Sequence, residues 1–256
     1  QRRRSPADTS CVYPAFLGGT GRVSVLMTDL GDRFIAVQAA VKSAAAEAGR
    51  DPSSVSLVAV SKRHPARSVA EAFDAGARDF GESYVQELVQ KRAEVEHLLG
   101  SRSREIRWHF IGRLQRNKVR HLGCVHRVHT VDSLRLLKTI DARAPGVEGV
   151  LVQVRIGAEA TKSGLDPSEL DAFMASAADA STTVCGLMTI GPVRSCPDYV
   201  QADFCALRAL RDQLQGRHCL PLPELSMGMS ADFSVGIEQG STMVRIGTAI
   251  FGDRPL

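Results

Sequence analysis

The sequence predicts an α/β protein, a single (β/α)8 TIM barrel spanning residues 27–256. Three observations lead to this fold class. From residue 29 onward, short apolar runs rich in β-branched residues alternate with amphipathic stretches of helical period. Eight such runs fit into about 225 residues, which suits a closed barrel. The first run is not followed by the G-x-G-x-x-G turn that is typical of an open dinucleotide-binding sheet.

The predicted elements follow one another as strand and helix. A leading helix should run from Leu30 to Ala48, capped by Asp29 and ended by Gly49. Strands are expected at 56–62, 77–81, 107–112, 127–131, 149–156, 184–190, 224–229 and 243–247. Helices are expected at 66–75, 83–99, 116–122, 133–142, 167–179, 198–215 and 231–239. This alternation favours right-handed βαβ units and a parallel sheet.

The first 26 residues differ from the rest of the chain. They open with Gln1-Arg2-Arg3-Arg4 and show no helical or strand period. An arginine-rich start suggests a secretion signal, but no apolar segment of adequate length follows it. Met27 looks like a natural beginning, so residues 1–26 are predicted to be a poorly ordered extension that contributes nothing to the barrel.

Composition limits the partners. Apolar residues make up 44% and charged residues 23% of the chain, as in ordinary globular proteins. The net charge of +4 indicates neither nucleic acid nor a membrane as a partner, but it suits a phosphorylated ligand. No apolar run is long enough to span a bilayer. The cysteines lack metal-site spacing and are interpreted as free thiols in the cytoplasm: Cys11, Cys124, Cys185, Cys196, Cys205 and Cys219.

Lys62 is the most informative single residue. It ends the apolar run 56–62, and Pro65 follows shortly after, so it should lie at the tip of the first strand. Barrel enzymes place their chemistry at the carboxyl ends of the strands. Partial burial lowers an amine's pKa, and a neutral amine can attack an aldehyde to form a Schiff base. Taken alone, a lysine that extends along a strand end toward water is the commoner case.

The last two strands carry the parts of a phosphate site. Barrels commonly bind phosphate with the loops after strands seven and eight. Ser230 offers a hydroxyl just before a helix expected to begin at Ala231, and Gly247 and Thr248 offer backbone N–H groups and a second hydroxyl. Separately, Ser230 is more simply explained as a helix cap and Gly247 as a turn glycine. Together, on consecutive strands, they favour a phosphate cradle.

Arg245 lies two residues before Gly247 and should point into the barrel from the same strand. A buried arginine is costly unless it is paired. Its partner is expected to be either a carboxylate such as Glu82 or a ring nitrogen of a bound cofactor.

The chain resembles the pyridoxal phosphate homeostasis protein family, whose barrel is shared with the N-terminal domain of alanine racemase. The resemblance extends over residues 29–253. It rests on the segments 57–62 (LVAVSK), 80–87 (FGESYVQE), 108–112 (WHFIG), 114–118 (LQRNK), 162–165 (KSGL), 186–191 (GLMTIG), 225–230 (LSMGMS) and 245–252 (RIGTAIFG).

The resemblance implies a cofactor, pyridoxal 5′-phosphate, and a role for each matching residue. Lys62 would carry the cofactor as an internal aldimine, and Ser230, Gly247 and Thr248 would hold its phosphate. Arg245 would face the pyridine nitrogen, where a second positive charge discourages protonation. The cofactor would then be a weak electron sink. Further candidates for cofactor contact are Ser83, His109, Met188 and Ser226.

The sequence departs from the family in two places. Ser83 stands where the family usually has asparagine, which puts one contact beside the cofactor ring in doubt. Arg113 and Arg116 make the segment 113–120 more basic than usual. We interpret that run as a solvated face and not as a nucleic-acid contact.

Three functions remain open at this point. The favoured hypothesis is a non-catalytic protein of intracellular pyridoxal phosphate homeostasis, with PLP-dependent apo-enzymes as candidate recipients. A racemase would need a second acid/base from a separate domain, and the sequence, ending at Leu256, leads us to expect none. A Schiff-base aldolase usually has its lysine on a later strand than the first. The sequence does not decide between a monomer and a weak dimer.

Overall fold

The computed structural model describes residues 29–157, 163–191 and 197–253. Within them, eight parallel strands close into a barrel in which β1 pairs with β8. The strands are β1 (Ser56–Val60), β2 (Asp79–Glu82), β3 (Arg107–Phe110), β4 (Arg127–Val131), β5 (Val150–Gln153), β6 (Val184–Met188), β7 (Glu224–Ser226) and β8 (Met243–Ile246). The predicted fold class is confirmed. The predicted extension at residues 1–26 lies outside the described residues.

The helices surround the sheet in the predicted order. They are α1 (Leu30–Glu47), α2 (Ala66–Asp74), α3 (Val85–Leu99), α4 (Leu134–Arg143), α5 (Leu170–Ala177), α6 (Pro197–His218), α7 (Phe233–Glu238) and α8 (Thr248–Phe251). One prediction was wrong in type, because Arg116–His121 forms a 3-10 helix and not an α-helix. Another was wrong in position, because the helix after Ser230 begins at Phe233 and not at Ala231.

The observed strands are mostly shorter than the apolar runs that predicted them. The run 56–62 continues to Lys62, but pairing in β1 stops at Val60. Several runs extend past the last paired residue because the loops at the barrel mouth bury apolar side chains too. As a result, Lys62 lies on the loop after β1, where its side chain can reach the mouth.

The leading helix α1 and the residues that flank it contact the last two helices of the barrel. The Asp29 side chain accepts a hydrogen bond from the Gly31 N–H, which confirms Asp29 as the cap. Arg33 Nε donates to the Ile250 carbonyl oxygen at 2.7 Å, and Arg50 Nη1 donates to the carbonyl oxygens of Ile237 and Ser241, each at 2.7 Å. These contacts stabilise the segment around α7 and α8, where the phosphate site was predicted.

Gly186 shows how closely strands approach each other near the site. A Cβ at this position of β6 would lie 1.8 Å from the Glu224 carbonyl oxygen of β7. Any side chain would therefore push β6 and β7 apart. The glycine that begins the segment 186–191 is explained by this strand contact.

Two further observations concern membrane spans and cysteines in the part of the chain that the structure describes. No helix in the described ranges combines the length and hydropathy needed to cross a bilayer. The cysteines in those ranges, Cys124, Cys185, Cys205 and Cys219, are free thiols.

Candidate functional site

A cavity of about 190 Å³ opens at the carboxyl ends of the strands. Six residues predicted from the sequence line it: Lys62, Met188, Ser230, Arg245, Gly247 and Thr248. The other lining residues are Val60, His64, Ile111, Ile190, Met229 and Gly252. The volume lies below the roughly 300–1,000 Å³ of pockets for drug-sized ligands. The cavity therefore suits a ligand with one ring and a few substituents.

Lys62 lies on a loop with an unusual backbone. The next residue, Arg63, has a φ of 64°, in the left-handed region that favours glycine. Such a conformation persists only where its surroundings hold it. Here the Arg63 N–H donates a very short hydrogen bond to Glu87 Oε1, and the His64 N–H donates to the Ser61 carbonyl oxygen at 3.0 Å. The loop therefore presents Lys62 in a fixed turn.

A buried ionic cluster supports this loop from below. Lys91 Nζ donates to the Ser61 carbonyl oxygen at 2.8 Å and to carboxylate oxygens of Glu82 and Glu87 at 2.7 Å each. The Ser61 hydroxyl donates to the same Glu82 oxygen at 2.7 Å. Lys91 thus connects the residue before Lys62 with the carboxylate that holds Arg63. We name this set, Ser61, Glu82, Glu87 and Lys91, the lysine-side cluster.

Sequence reasoning missed Lys91, although a signal was present. Lys91 falls on the apolar stripe of α3, between the buried Leu88 and Val95. A lysine at that position is either buried and paired or out of register with its helix. The acidic residue four positions earlier, Glu87, was the available hint of a partner.

Glu82 does not pair with Arg245, so the carboxylate partner considered for Arg245 is wrong. Glu82 instead binds Lys91, and its Oε2 is buried without a hydrogen-bond partner among the described residues. Burial raises the pKa of the Glu82 carboxyl, and Lys91 and Ser61 offset this only in part.

Arg245 is held by neutral groups. Its Nη1 donates to Ser226 Oγ at 2.5 Å, and its Nη2 donates to the Thr189 carbonyl oxygen at 2.9 Å. Only 5% of Arg245 is exposed, so burial lowers its pKa to about 10, against a partial opposing effect of the Asp232 charge. The guanidinium therefore stays charged at neutral pH while it faces the cavity.

The residues predicted to hold phosphate, Ser230, Gly247 and Thr248, line one part of the cavity, which we call its phosphate end after that prediction. The structure removes one simpler explanation for them. Ser230 is not the cap of the next helix, because that helix is preceded by Asp232, whose carboxylate accepts from the Met229 N–H at 2.5 Å. Gly247 has a packing reason besides any ligand, since a Cβ there would lie 3.3 Å from the Val60 carbonyl oxygen. Thr248 begins α8, so its N–H has no acceptor within the helix.

Three of the further candidates are not on the cavity wall. Ser83 is half-buried just after β2, and His109 and Ser226 are buried beneath the cavity floor. His109 contacts His129 and Asp79, whereas Ser226 contacts His129 and Arg245. Ser226 therefore reaches the cavity only through Arg245. Met188, the fourth candidate, lines the cavity directly.

The chain is similar to known proteins along most of its length. The family model described as "Alanine racemase, N-terminal domain" matches residues 36–255. A "Pyridoxal phosphate homeostasis protein" of Aquifex aeolicus is 40% identical over 228 residues, which cover 87% of this chain and 97% of that protein. The protein of the same name from Escherichia coli K12 is 40% identical over 236 residues, 89% of this chain and 98% of the relative.

A solved structure extends the comparison to a bound ligand. PipY of Synechococcus elongatus, whose structure was determined with PLP bound, is 33% identical to this chain. It superimposes with a TM-score of 0.75, covering 88% of this chain and 100% of PipY.

Proposed function

This chain belongs to the family of alanine racemase N-terminal domains and, within it, to the pyridoxal phosphate homeostasis proteins, and from this premise we propose that it binds pyridoxal 5′-phosphate at the barrel mouth. One observation carries the proposal. A single cavity brings together an amine, a buried guanidinium and two hydroxyls, from Lys62, Arg245, Ser230 and Thr248. The cofactor offers an aldehyde, a ring nitrogen and a phosphate, which match these groups in kind.

Each end of the cavity has a distinct part in this proposal. Lys62 holds the cofactor through a Schiff base, and the loop of Arg63 keeps its amine at the mouth. Ser230, Gly247 and Thr248 bind the phosphate, which accepts several charge-assisted hydrogen bonds. Arg245 stays cationic and opposes protonation of the ring nitrogen, so that the bound cofactor is a poor electron sink. That combination favours retention of the cofactor over carbanion chemistry.

We further propose that the protein has no substantial turnover. Two-base racemisation needs a second proton-exchanging group on the face opposite the lysine. Besides Lys62 and Arg245, His64 is the single ionisable side chain on the described cavity wall. His64 comes from the same loop as Lys62 and stacks on Phe251 with the ring centroids 5.2 Å apart. His64 therefore does not come from the face opposite Lys62, and the relatives' names support a homeostasis role. In this proposal the protein acts in the cytoplasm and delivers the cofactor to PLP-dependent apo-enzymes.

Absorbance titration and borohydride reduction test the proposal. Adding pyridoxal 5′-phosphate to the purified chain should produce a yellow species, and reduction followed by peptide mapping should place the adduct on Lys62. Lys62→Ala should lose the colour but keep weak binding through the phosphate end. Lys118→Ala, which lies outside the cavity, is the matched control and should behave as the unmodified protein does.

Two results would contradict the proposal. An adduct on Lys118 would show that the cavity is not the binding site, and an adduct on Lys162 would show that Lys62 does not carry the cofactor. Racemisation or transamination of single amino acids by the loaded protein, with turnover, would show that the protein is an enzyme.

A further inference from the structure

Six polar side chains form a continuous hydrogen-bonded chain through the barrel interior. In order from the bottom of the barrel to the cavity they are Arg107, Asp79, His109, His129, Ser226 and Arg245. Arg107 and Asp79 lie at the amino-terminal ends of β3 and β2, whereas Ser226 ends β7 at the mouth. We call this set the interior chain. The function proposed above uses its last member, Arg245, and leaves the histidines unexplained.

The contacts are short and the central members are inaccessible to water. Asp79 Oδ1 lies 3.0 Å from His109 Nε2, and His109 Nδ1 lies 2.9 Å from His129 Nε2. His129 Nδ1 lies 2.8 Å from Ser226 Oγ. His109 is 1% exposed, and His129 and Ser226 are fully buried. Burying two imidazoles is costly unless each ring nitrogen has a partner, and here all four nitrogens have one.

The end of the chain at Arg245 determines where each proton lies. Arg245 can only donate, so Ser226 Oγ accepts from it and must use its own hydrogen elsewhere. The other hydrogen-bond partner of Ser226 Oγ is His129 Nδ1, which therefore accepts and carries no proton. A neutral His129 then bears its proton on Nε2 and donates to His109 Nδ1. His109 in turn bears its proton on Nε2 and donates to the Asp79 carboxylate.

The other end agrees with this proton order. Asp79 accepts from Arg107 Nε at 2.7 Å and Nη2 at 2.6 Å. Burial alone would raise the pKa of Asp79, but Arg107 and His109 outweigh it and hold that pKa well below the ordinary range. The carboxylate is therefore an acceptor throughout the neutral range. Both ends of the chain thus select the same direction of donation.

Charged groups around the two rings favour their neutral form. After burial, His109 is the largest of the neighbouring groups that lower the pKa of His129, and Arg245 of β8 and Arg127 at the start of β4 add positive charge near it. Burial is the largest cause that lowers the pKa of both His109 and His129, and for His109 it outweighs the attraction of Asp79. A second proton on His109 would lie on Nδ1, so that His129 Nε2 would have to accept and His129 would carry its proton on Nδ1. The Ser226 hydroxyl would then lose its acceptor.

We propose that His129 and Ser226 are positioning residues, which fix the Arg245 guanidinium against the cavity. They do so through the interior chain, in which donors and acceptors follow a single order and both imidazoles are neutral and protonated on Nε2. The proton order is a property of the protein without ligand. The consequence for the cofactor's ring nitrogen rests on the proposed function. Ser226 supplies one of the two observed anchors of the guanidinium, and Thr189 supplies the other.

The proton order can be measured on the ligand-free, full-length chain. Long-range ¹H–¹⁵N correlation spectra of the histidine rings, recorded from about pH 6 to 8, distinguish protonated from unprotonated ring nitrogens. We expect Nε2 to be protonated and Nδ1 unprotonated in both His109 and His129 over this range. A proton on Nδ1 of His129, or an imidazolium signal from either ring, would overturn the proposed order whether or not the protein binds the cofactor.

The positioning role needs variants and a second measurement. His129→Leu removes the acceptor of the Ser226 proton, and we expect it to weaken pyridoxal 5′-phosphate binding by about tenfold. We also expect the absorbance of its bound cofactor to change with pH over a range where that of the unmodified protein is constant. His129→Asn retains an oxygen acceptor near the Nδ1 position and should restore most of the affinity. Thr130→Val, on the same strand, loses a buried hydrogen bond to Gly112 outside the chain and is the matched control.

Each outcome decides between the proposals. If His129→Leu binds with the affinity and pH profile of the unmodified protein, the positioning role is wrong. It is also wrong if His129→Asn behaves like His129→Leu, or if Thr130→Val has the same effect. If the unmodified protein binds no cofactor, the proposed function fails, while the ring spectra still decide the proton order.

Discussion

Lys62 and Arg245, on opposite sides of the proposed cofactor, rest on different supports. The loop of Lys62 is supported by the lysine-side cluster, in which a buried ammonium lies between two carboxylates. Arg245 is supported by the interior chain, whose members next to it are neutral and whose negative charge lies at the far end of the barrel. The difference suits the two tasks. An ionic cluster holds a backbone turn, whereas a neutral chain orients a cation without cancelling its charge.

Substitutions in the two supports should also have different effects. Removing one member of a buried ion pair leaves an uncompensated charge, whereas removing one member of a neutral chain leaves unsatisfied hydrogen bonds. The first loss should appear mainly in the free energy of unfolding. The second should appear mainly in cofactor binding and its pH dependence.

Lys91→Met should have the largest effect on stability. Lys91 and Glu82 have side chains that are 5% and 0% exposed, so the substitution leaves a buried carboxylate without its cation. We expect a loss of about 3 to 5 kcal/mol in the free energy of unfolding, measured by urea denaturation. Lys138→Met, at an exposed position of α4, is the control. A loss no greater than that of the control would mean that the lysine-side cluster does not stabilise the fold.

The free energy of unfolding should depend on pH in opposite directions for the two supports, through Asp79 in the interior chain and Glu82 in the lysine-side cluster. Asp79 has a lowered pKa, so its contribution is present above its unfolded pKa near 4 and is lost as the pH falls below that. Glu82 has a raised pKa, so its contribution is present below its usual value of 4.5 and is lost as the pH rises through the higher folded pKa. The two carboxyls therefore oppose each other as the pH changes.

Unfolding by urea at a series of pH values measures these contributions. Asp79→Asn should cost about 1 to 3 kcal/mol at pH 7 and should flatten the loss of stability below about pH 4. Glu82→Gln should flatten the loss above about pH 4.5 and leave the acid limb as it is. If both variants changed the same limb, the assignment of opposite pKa shifts would be wrong.

Ser61→Ala should have a smaller effect on stability than Lys91→Met or Asp79→Asn. It removes the hydrogen bond from Ser61 Oγ to Glu82, but Lys91 still donates to the same carboxylate oxygen. We expect a loss of about 1 kcal/mol in the free energy of unfolding. Ser226→Ala is the comparison, because Ser226 serves two partners and its loss leaves both unsatisfied. A larger cost for Ser61→Ala than for Ser226→Ala would show that Lys91 does not compensate for the lost Ser61 hydroxyl.

Much of the barrel could be predicted because its signals are local. Each strand is buried and each helix shows an apolar stripe, so period and turn residues alone placed all eight strands in order. The inward direction of Arg245 followed from strand alternation, and its place on the cavity wall confirms it. The 3-10 helix at Arg116–His121 was taken for an α-helix because the i, i+3 spacing of Val119 and Leu122 suits both helix types.

The sequence by itself determined the strand order, the place of Lys62 after the first strand at the barrel mouth, and six of the twelve residues that line the cavity. Only the tertiary structure decided what supports them. His129 and Ser226 are 97 residues apart in the chain, and Lys91 is 30 residues from the carbonyl of Ser61 that it contacts. Local period says which side chains point inward but not which of them meet. Closure of the barrel sets those distances. As a result, Glu82 pairs with Lys91, and Arg245 donates its hydrogen bonds to neutral groups.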